Sequence, residues 1–207
     1  MLTVHNGELM VEEKGIYSTE KFIVARRLMY WQVYLHKTVL CAEQMLKQII
    51  RRAKFVKAFT TTPLNKFINE PIESVSLEEF CNLDDYDVLS AIKEWTHHPD
   101  TVLSFLCKGI IDRSLLKIKY FPQPVGETLL KEKRESAKKK LNLCNGEEEW
   151  LVITGEASSN TYNVKDENIQ ILFKDNTVKD ISQVDDALIN AGVSGSIKKY
   201  YICYLRD

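Results

Sequence analysis

No uncharged apolar run in the sequence approaches the ~20 residues that cross a bilayer, so membrane insertion is not expected. The first residues, Met1-Leu2-Thr3-Val4-His5-Asn6-Gly7, lack a basic stretch followed by an apolar one, which is not a secretory pattern and makes the cytoplasm the expected compartment. Cysteine is sparse. The five residues Cys41, Cys81, Cys107, Cys144 and Cys203 stand far apart, without a C-x-x-C pair or a histidine at zinc-ligand spacing, and their odd number argues against a disulfide framework. Reduced, buried thiols are expected. An excess of one charge is missing too: a net charge of −1 gives no global attraction to nucleic acid, which depends on clustered Lys and Arg neutralising several phosphates. Internal repeats and low-complexity linkers are also absent. What remains is an ordinary globular composition, 44% hydrophobic and 28% charged, in 207 residues able to bury a sizeable core as one large or two small domains.

Asn6-Gly7 lies between two extended runs within Thr3 to Val11, the strongest short-range signal for a hairpin with a type I′ turn. Gly15 interrupts the chain, and Ser18 then stands where an N-cap would, ahead of a pattern without Gly or Pro until Pro63. One long helix is predicted from about Thr19 to the upper fifties. Its apolar residues, among them Phe22, Ile23, Leu28, Trp31, Val33, Leu35, Val39, Leu40, Met45, Leu46 and Ile49, wrap nearly all around the axis, as in a centrally buried helix. Further helix starts are marked by Ser76-Leu77-Glu78-Glu79, by Asp84 before Asp85 to Thr96, and by Asp100 after Pro99.

From Leu115 the pattern changes. Leu116 to Tyr120 alternates as a strand, Pro122 and Pro124 break it, and a charged helix is predicted from roughly Glu127 to Leu141. Strands are predicted over Glu149–Thr154, Asn168–Phe173, Thr177–Ile181 and Lys198–Tyr204, with a turn at Asp175-Asn176 and a short helix over Ser182 to Asn190. The expected fold is α+β: a β-ribbon, a helical layer around one long central helix, then a small antiparallel sheet with one or two helices. A soft boundary near Arg113 to Leu116 separates a mainly helical segment, 1–114, from an α+β segment, 115–207.

The most informative stretch is Ala25 to Lys37. At roughly 100° per residue on an unbroken helix, Arg26, Tyr30 and Lys37 share one face, with Tyr34 on its flank. Charged heads on an otherwise buried helix are costly unless they are paired or look into a wet cavity. A polyphosphate suits this face, because Arg offers a fork of donors, Lys a compact charge, and Tyr a hydroxyl and a ring. Spacing alone leaves open that the cations pair with carboxylates of neighbouring helices while the tyrosines pack, the more frequent arrangement. The basic run Lys131, Lys133, Arg134, Lys138, Lys139 and Lys140 is interspersed with Glu127, Glu132 and Glu135 and has no interleaved aromatic residue, so it reads as a solvated helix face. Glu147-Glu148-Glu149 and Asp185-Asp186 read as a turn and a helix N-terminus. No Gly-rich phosphate loop, nucleophile elbow or Cys-His pairing is recognisable.

Gly15-Ile16-Tyr17-Ser18 through Ala25-Arg26-Arg27, Tyr30, Val33-Tyr34 and His36-Lys37-Thr38 resembles the helix that follows the catalytic core in HD-superfamily dNTP triphosphohydrolases. The likeness is to the bacterial branch of that family, related to the sterile-alpha-motif-containing dNTPase of animals. A weaker likeness at Gly155-Glu156-Ala157 and Asn168 to Asp175 extends it over most of the chain. The resemblance implies that Arg26 contacts substrate phosphates and that Tyr34, with Tyr30 beside it, lines the nucleotide pocket. For His36 and Lys37 it implies a regulatory or phosphate contact.

One departure is large. HD hydrolases hold their metal through a His, an adjacent His-Asp pair and a later Asp, all upstream of this helix, where the metal activates water. The present sequence has no His-Asp dipeptide; its histidines are His5, His36, His97 and His98, and His97-His98-Pro99-Asp100 reads as a helix end followed by an N-cap. The resemblance therefore covers the part after the catalytic domain, and Met1 is expected to mark an artificial boundary or a truncated reading frame. The expected function is that of the C-terminal half of an HD-type metal-dependent phosphohydrolase acting on (deoxy)nucleoside triphosphates. The chain itself is expected to hold no cofactor and no catalytic residue and to be inactive alone. A divalent metal is expected in the full-length enzyme, and the expected partners are a nucleotide substrate, an upstream HD domain and further copies of the chain. The alternative is a non-catalytic module for oligomerisation or nucleotide sensing.

Overall fold

The computed structural model describes residues 1–159, 168–184 and 197–206. Two compact units share the chain: Met1–His36 with Glu156–Lys199, and Lys37–Gly155 with Tyr200–Asp207.

In the first unit Asn6 and Gly7 take φ of +51° and +83°, the left-handed pair that a type I′ turn demands. Strand β1 (Leu2–His5) thereby folds back on β2 (Glu8–Glu12), with Val4 opposite Leu9. The ribbon is part of a larger sheet. β2 pairs in parallel with β5 (Gln170–Leu172), Val11 opposite Ile171, and β5 pairs antiparallel with β6 (Val178–Asp180), giving the order β1-β2-β5-β6. Helix α1 (Ile16–Met29) packs Ile16 and Ile23 against Ile171 and Ile181. Gly15 caps this helix in place of Ser18. A Cβ there would lie 2.6 Å from the Val11 side chain, so only glycine lets the helix start this close to the sheet.

The second unit is built on α2 (Lys37–Phe55). Met45, Ile49 and Ala53 on its inner face are fully buried, and α2 packs against α6 (Thr101–Ile111), which packs on α5 (Asp85–Trp95). Between α2 and α5 lie the short helices α3 (Leu64–Asn69) and α4 (Leu77–Asn82). The predicted starts hold: Ser76 and Glu79 form a capping box, Asp84 and Asp87 another, and Asp100 accepts from the Leu103 N–H. Strand β3 (Lys117–Phe121) pairs antiparallel with β7 (Ile197–Tyr204), Ile118 opposite Cys203, in a three-stranded sheet of order β3-β7-β4 with β4 spanning Ile153–Ser159. Helix α7 (Glu127–Leu141) has its predicted limits.

The fold class is α+β, as expected. The strands form two sheets, and the parallel β2–β5 pair departs from the single antiparallel sheet predicted, because long-range pairing leaves no local trace in sequence. The long helix is interrupted. After α1 the backbone forms a π-helical turn over Tyr30–Tyr34, closed by Leu35 N–H donating to the Tyr30 carbonyl at 2.7 Å, and helical geometry lapses until Lys37. No Gly or Pro causes this. Tyr30, Trp31, Val33 and Tyr34 are aromatic or β-branched, the classes that lose most side-chain freedom in an α-helix. Nor is the first part of that helix centrally buried, since Phe22, Leu28 and Val33 are 50% exposed or more. Residues Glu147–Leu151 form a 3₁₀ turn where a strand was predicted to begin. The predicted helix over Ser182 to Asn190 falls largely outside the described residues; Ser182 and Gln183 belong to a 3₁₀ turn, Ile181–Gln183. Asp185 and Asp186 also lie outside the described residues.

Candidate functional site

Three of the predicted site residues form a ladder in the first unit. Arg26, in the last turn of α1, holds its guanidinium carbon 5.6 Å from the centroid of the Tyr30 ring, and Tyr30 and Tyr34 stand with ring centroids 5.3 Å apart. A cation over an aromatic face is attracted by the ring quadrupole. Arg26 and Tyr30 are half-buried and Tyr34 is exposed, so the ladder presents a guanidinium, two rings and two hydroxyls along a partly wetted face. π-Helical turns recur at functional sites because they re-aim side chains within a helix. Beside the ladder Lys199 sits 4.1 Å from the Trp31 ring centroid.

Lys37 and His36 are placed differently. The π turn breaks the register that put Lys37 on the face of Arg26, and Lys37 opens α2 in the second unit. His36 is exposed at the break, its N–H donating to the Val33 carbonyl at 3.3 Å.

Lys37 does meet cations of its own unit. It lines a pocket of about 260 Å³ together with Thr38, Cys41, Arg113, Lys117 and Arg206 over a floor that includes Leu116 and Ile118. The four charges come from four places: the start of α2, the second residue beyond the end of α6, the first position of β3 and the stretch after β7. No Asp or Glu stands among the described residues that line it. A chain of net charge −1 thus has four exposed cationic residues lining one pocket whose described lining holds no carboxylate, a charge pattern complementary to an anion. Arg113 takes φ of +55°, a left-handed conformation that costs a non-glycine residue energy and that helices usually end on with glycine. The segment carrying Arg206 is tied down by Lys140, which donates to the Arg206 carbonyl at 2.6 Å. Sequence reasoning found only Lys37 of this set. Lys117 was visible as a polar position of an alternating strand, but nothing local links it to Arg113 or Arg206.

His98 and Asp100 both take part in the start of α6. His98 Nδ1 accepts from the Asp100 N–H at 3.1 Å; Asp100 accepts from the Leu103 N–H at 2.8 Å and binds Arg52 through both oxygens, at 3.0 and 2.6 Å. These contacts are those of a helix cap, as the sequence pattern predicts. Four of the basic residues of α7 have partners: Arg134 pairs with Glu149 at 3.3 Å, Lys138 binds Asn145, Lys133 stands over the Tyr204 ring at 5.0 Å, and Lys140 donates to the Arg206 carbonyl. A larger pocket in the first unit, about 550 Å³, is lined mainly by apolar groups including Leu2, Leu9, Met10 and Phe22, and holds none of the predicted site residues.

Comparison with known proteins identifies the family. Residues 1–141, well over half of the chain, match the sequence family described as the HD associated region. The chain belongs to the HD associated region family. This HD associated region is 32% identical over 114 residues to the uncharacterized protein YwfO of Bacillus subtilis, covering 53% of the present chain and 26% of that protein. Its fold matches the crystal structure of a phosphohydrolase from Bacteroides thetaiotaomicron with a TM-score of 0.89 and 39% identity, over 100% of this chain and 54% of that one. A hypothetical protein from Aquifex aeolicus shares the fold with a TM-score of 0.58 at 23% identity, over 98% of this chain and 46% of that one. The HD associated region thus spans about a quarter to a half of the length of the proteins it matches. Among the described residues no helix is long and apolar enough to cross a membrane.

Proposed function

We propose that this HD associated region is the accessory half of an HD-type phosphohydrolase that acts on (deoxy)nucleoside triphosphates. In this reading an upstream HD domain supplies the metal and the hydrolytic water, and the present residues bind the anionic parts of nucleotides. The observation that carries the reading is the pocket of Lys37, Arg113, Lys117 and Arg206, four cations from separated parts of the chain without an interposed carboxylate. Phosphate oxygens satisfy such donors with charge-assisted bonds, and Arg is suited to doing so in pairs. The phosphohydrolase neighbour at 39% identity supports the same reading. The ladder of Arg26, Tyr30 and Tyr34 is assigned to the substrate side, with Arg26 on phosphate and the rings against sugar or base; the pocket at Lys37 suits a second, regulatory nucleotide.

Titration calorimetry of the chain with inorganic tripolyphosphate and with a dNTP tests this. A charge-assisted hydrogen bond contributes about 1.5–3 kcal/mol, so Lys117→Ala is expected to weaken tripolyphosphate binding about ten- to a hundred-fold. Unchanged affinity in Lys117→Ala and in Arg113→Ala would remove the pocket from the reading. A second reading, a non-catalytic module for oligomerisation or nucleotide sensing, is favoured by the exposed Phe22, Leu28 and Val33 of the first unit. The two are separated by joining the chain to an upstream HD domain. Triphosphate release that depends on Arg26 supports the first.

A further inference from the structure

Charge is laid out in blocks along the second unit. Residues 44–69 hold six Lys and Arg and no Asp or Glu, whereas residues 70–92 hold seven Asp and Glu and no Lys or Arg. Each block builds a surface. On α2 the spacing i, i+4, i+7 puts Lys47, Arg51 and Lys54 on the side opposite the buried Met45 and Ile49, and Lys57 follows beyond the end of the helix. Phe55 and Phe59, in the same stretch, are exposed. Arg51, Lys54 and Lys57 form no ion pair among the described residues.

Helices α4 and α5 make the opposite surface. Helix α4 has no buried residue, although its sequence is Leu-Glu-Glu-Phe-Cys-Asn. Leu77 and Phe80, one turn apart, are exposed, as is Cys81, a thiol expected to be buried. Tyr86 and Leu89 repeat the pattern on α5, and Ile72 is exposed in the 3₁₀ turn Ile72–Ser74 just before α4. A six-residue helix is marginal in water by itself. This one is held by its capping box, by Lys66 pairing with Glu79 at 2.7 Å, and by Phe67 at 6.4 Å from the Phe80 ring centroid, contacts that leave its apolar side uncovered. Glu73, Glu78 and Asp85 are exposed in the same stretch and form no ion pair among the described residues.

The two surfaces adjoin. The Phe59 carbonyl accepts from the Trp95 indole N–H at 2.8 Å, the Thr61 N–H donates to Glu94 at 3.0 Å, and Lys66 of α3 reaches Glu79, so the end of α2 is tied to α5 and, through α3, to α4. A contact of the acidic surface with itself brings carboxylates together and is repulsive, and so is one with nucleic acid or an anionic membrane. The basic ridge of α2 matches it in both charge and apolar content. We propose that a second copy of the chain covers this region, with the ridge of α2 in each copy lying on the α4–α5 surface of the other about a two-fold axis. Two-fold symmetry makes the contact reciprocal, so a chain that carries both surfaces side by side satisfies both at once. Each aromatic side chain removes about 150–250 Å² from water when covered, and the contact covers Phe55, Phe59, Phe80 and Tyr86 of both copies, on the order of 1,000 Å², the size of a specific interface.

Sedimentation velocity of the full chain tests this with two charge-reversed variants. One carries Glu78→Lys with Asp85→Lys, the other Arg51→Glu with Lys54→Glu; all four residues are exposed, and circular dichroism checks that each variant folds. The unaltered chain is expected to sediment as a dimer at micromolar concentration and to dissociate as salt is added, because exposed charges are screened. Each variant alone is expected to bind itself at least ten-fold more weakly, since one of its surfaces now meets a like charge. An equimolar mixture is expected to form a one-to-one dimer, because every surface of one variant again meets its opposite on the other. That rescue separates lost complementarity from lost folding. A monomeric unaltered chain, variants that self-associate as well as it does, or a mixture that stays monomeric would overturn the proposal. Undiminished association of the variants would assign it to the exposed Phe22, Leu28 and Val33 of the first unit instead. Nucleotide plays no part in the measurement, so its outcome is independent of the polyphosphate reading.

Discussion

Arg113 sits where a helix would more easily end on glycine, and its φ of +55° means the chain holds a strained residue there. Such strain is kept where a side chain is wanted, and Arg113 is among the residues that line the cationic pocket. Arg113→Gly is therefore expected to raise the thermal midpoint slightly, reflecting about 1 kcal/mol of relieved strain, while weakening tripolyphosphate binding at least ten-fold. A variant that is both less stable and equally good at binding would mean the arginine serves the fold. Arg26 is expected to behave differently, since it lies on Tyr30 at a partly wetted face. When the chain is joined to an upstream HD domain, Arg26→Ala should cost about ten- to a hundred-fold in affinity for a non-hydrolysable dNTP analogue with little change in melting temperature, if the proposed reading holds. A large fall in melting temperature at unchanged affinity would make it a structural residue.

The elements of the second unit are joined by one ionic knot. Arg52 of α2, 4% exposed, binds Asp100 at the start of α6 with a two-pronged contact, reaches Glu147 at 2.7 Å, and lies 5.3 Å from the ring centroids of both Phe55 and Trp150. Removing Asp100 takes away the two-pronged contact and the cap of α6 while leaving Arg52 paired with Glu147, so Asp100→Ala should lower unfolding stability by about 2–4 kcal/mol, read from urea midpoints. The same knot sets an acid limit. Burial works against the Asp100 carboxylate, but the hydrogen bonds from Arg52 and Leu103 outweigh it and hold the carboxyl below its ordinary range. Its stabilising contribution is complete above the unfolded value near pH 3.9 and fades as the pH falls through the lower folded value. The unfolding stability of Asp100→Ala should accordingly depend less on pH in that window than that of the unaltered chain. Much at this scale was readable beforehand, because caps are local: Ser76 with Glu79, Asp84 with Asp87, and Asp100 each announce a helix start within four residues. Asn6-Gly7 announced its turn for the same reason. The π turn at Tyr30 to Tyr34 was not readable, since no glycine or proline marks it and rotamer crowding among aromatic and β-branched residues acts only in aggregate. It also divided the site, leaving Arg26, Tyr30 and Tyr34 in one unit and Lys37 in the other. Arg113, Lys117 and Arg206 stayed hidden for a further reason: the pocket exists only through tertiary placement of residues with no common motif.

In the whole molecule the first unit leaves Phe22, Leu28 and Val33 exposed on one helix and its continuation, and Leu2, Val4 and Leu9 exposed on the ribbon. In the second unit Leu77, Phe80 and Tyr86 are exposed as well. Apolar surface of this extent rarely stays solvated, so the isolated chain is expected to self-associate at micromolar concentration, which light scattering measures. A strictly monomeric, well-folded particle would contradict this. The parallel pairing of Val11 with Ile171 has a consequence for how the protein comes into being. A ribosome adds residues in order, at about 5–20 per second, so several seconds pass between the emergence of β2 and that of the strand it must find. The helices from Lys37 to Ile111 can meet during that interval from nearby sequence alone, whereas the hairpin waits with its apolar side uncovered. Nascent-chain assembly of these residues should therefore begin with the helices from Lys37 to Ile111 and return to the hairpin, and chaperone occupancy should fall on Leu2 to Val11 until residues beyond Ile171 leave the exit tunnel.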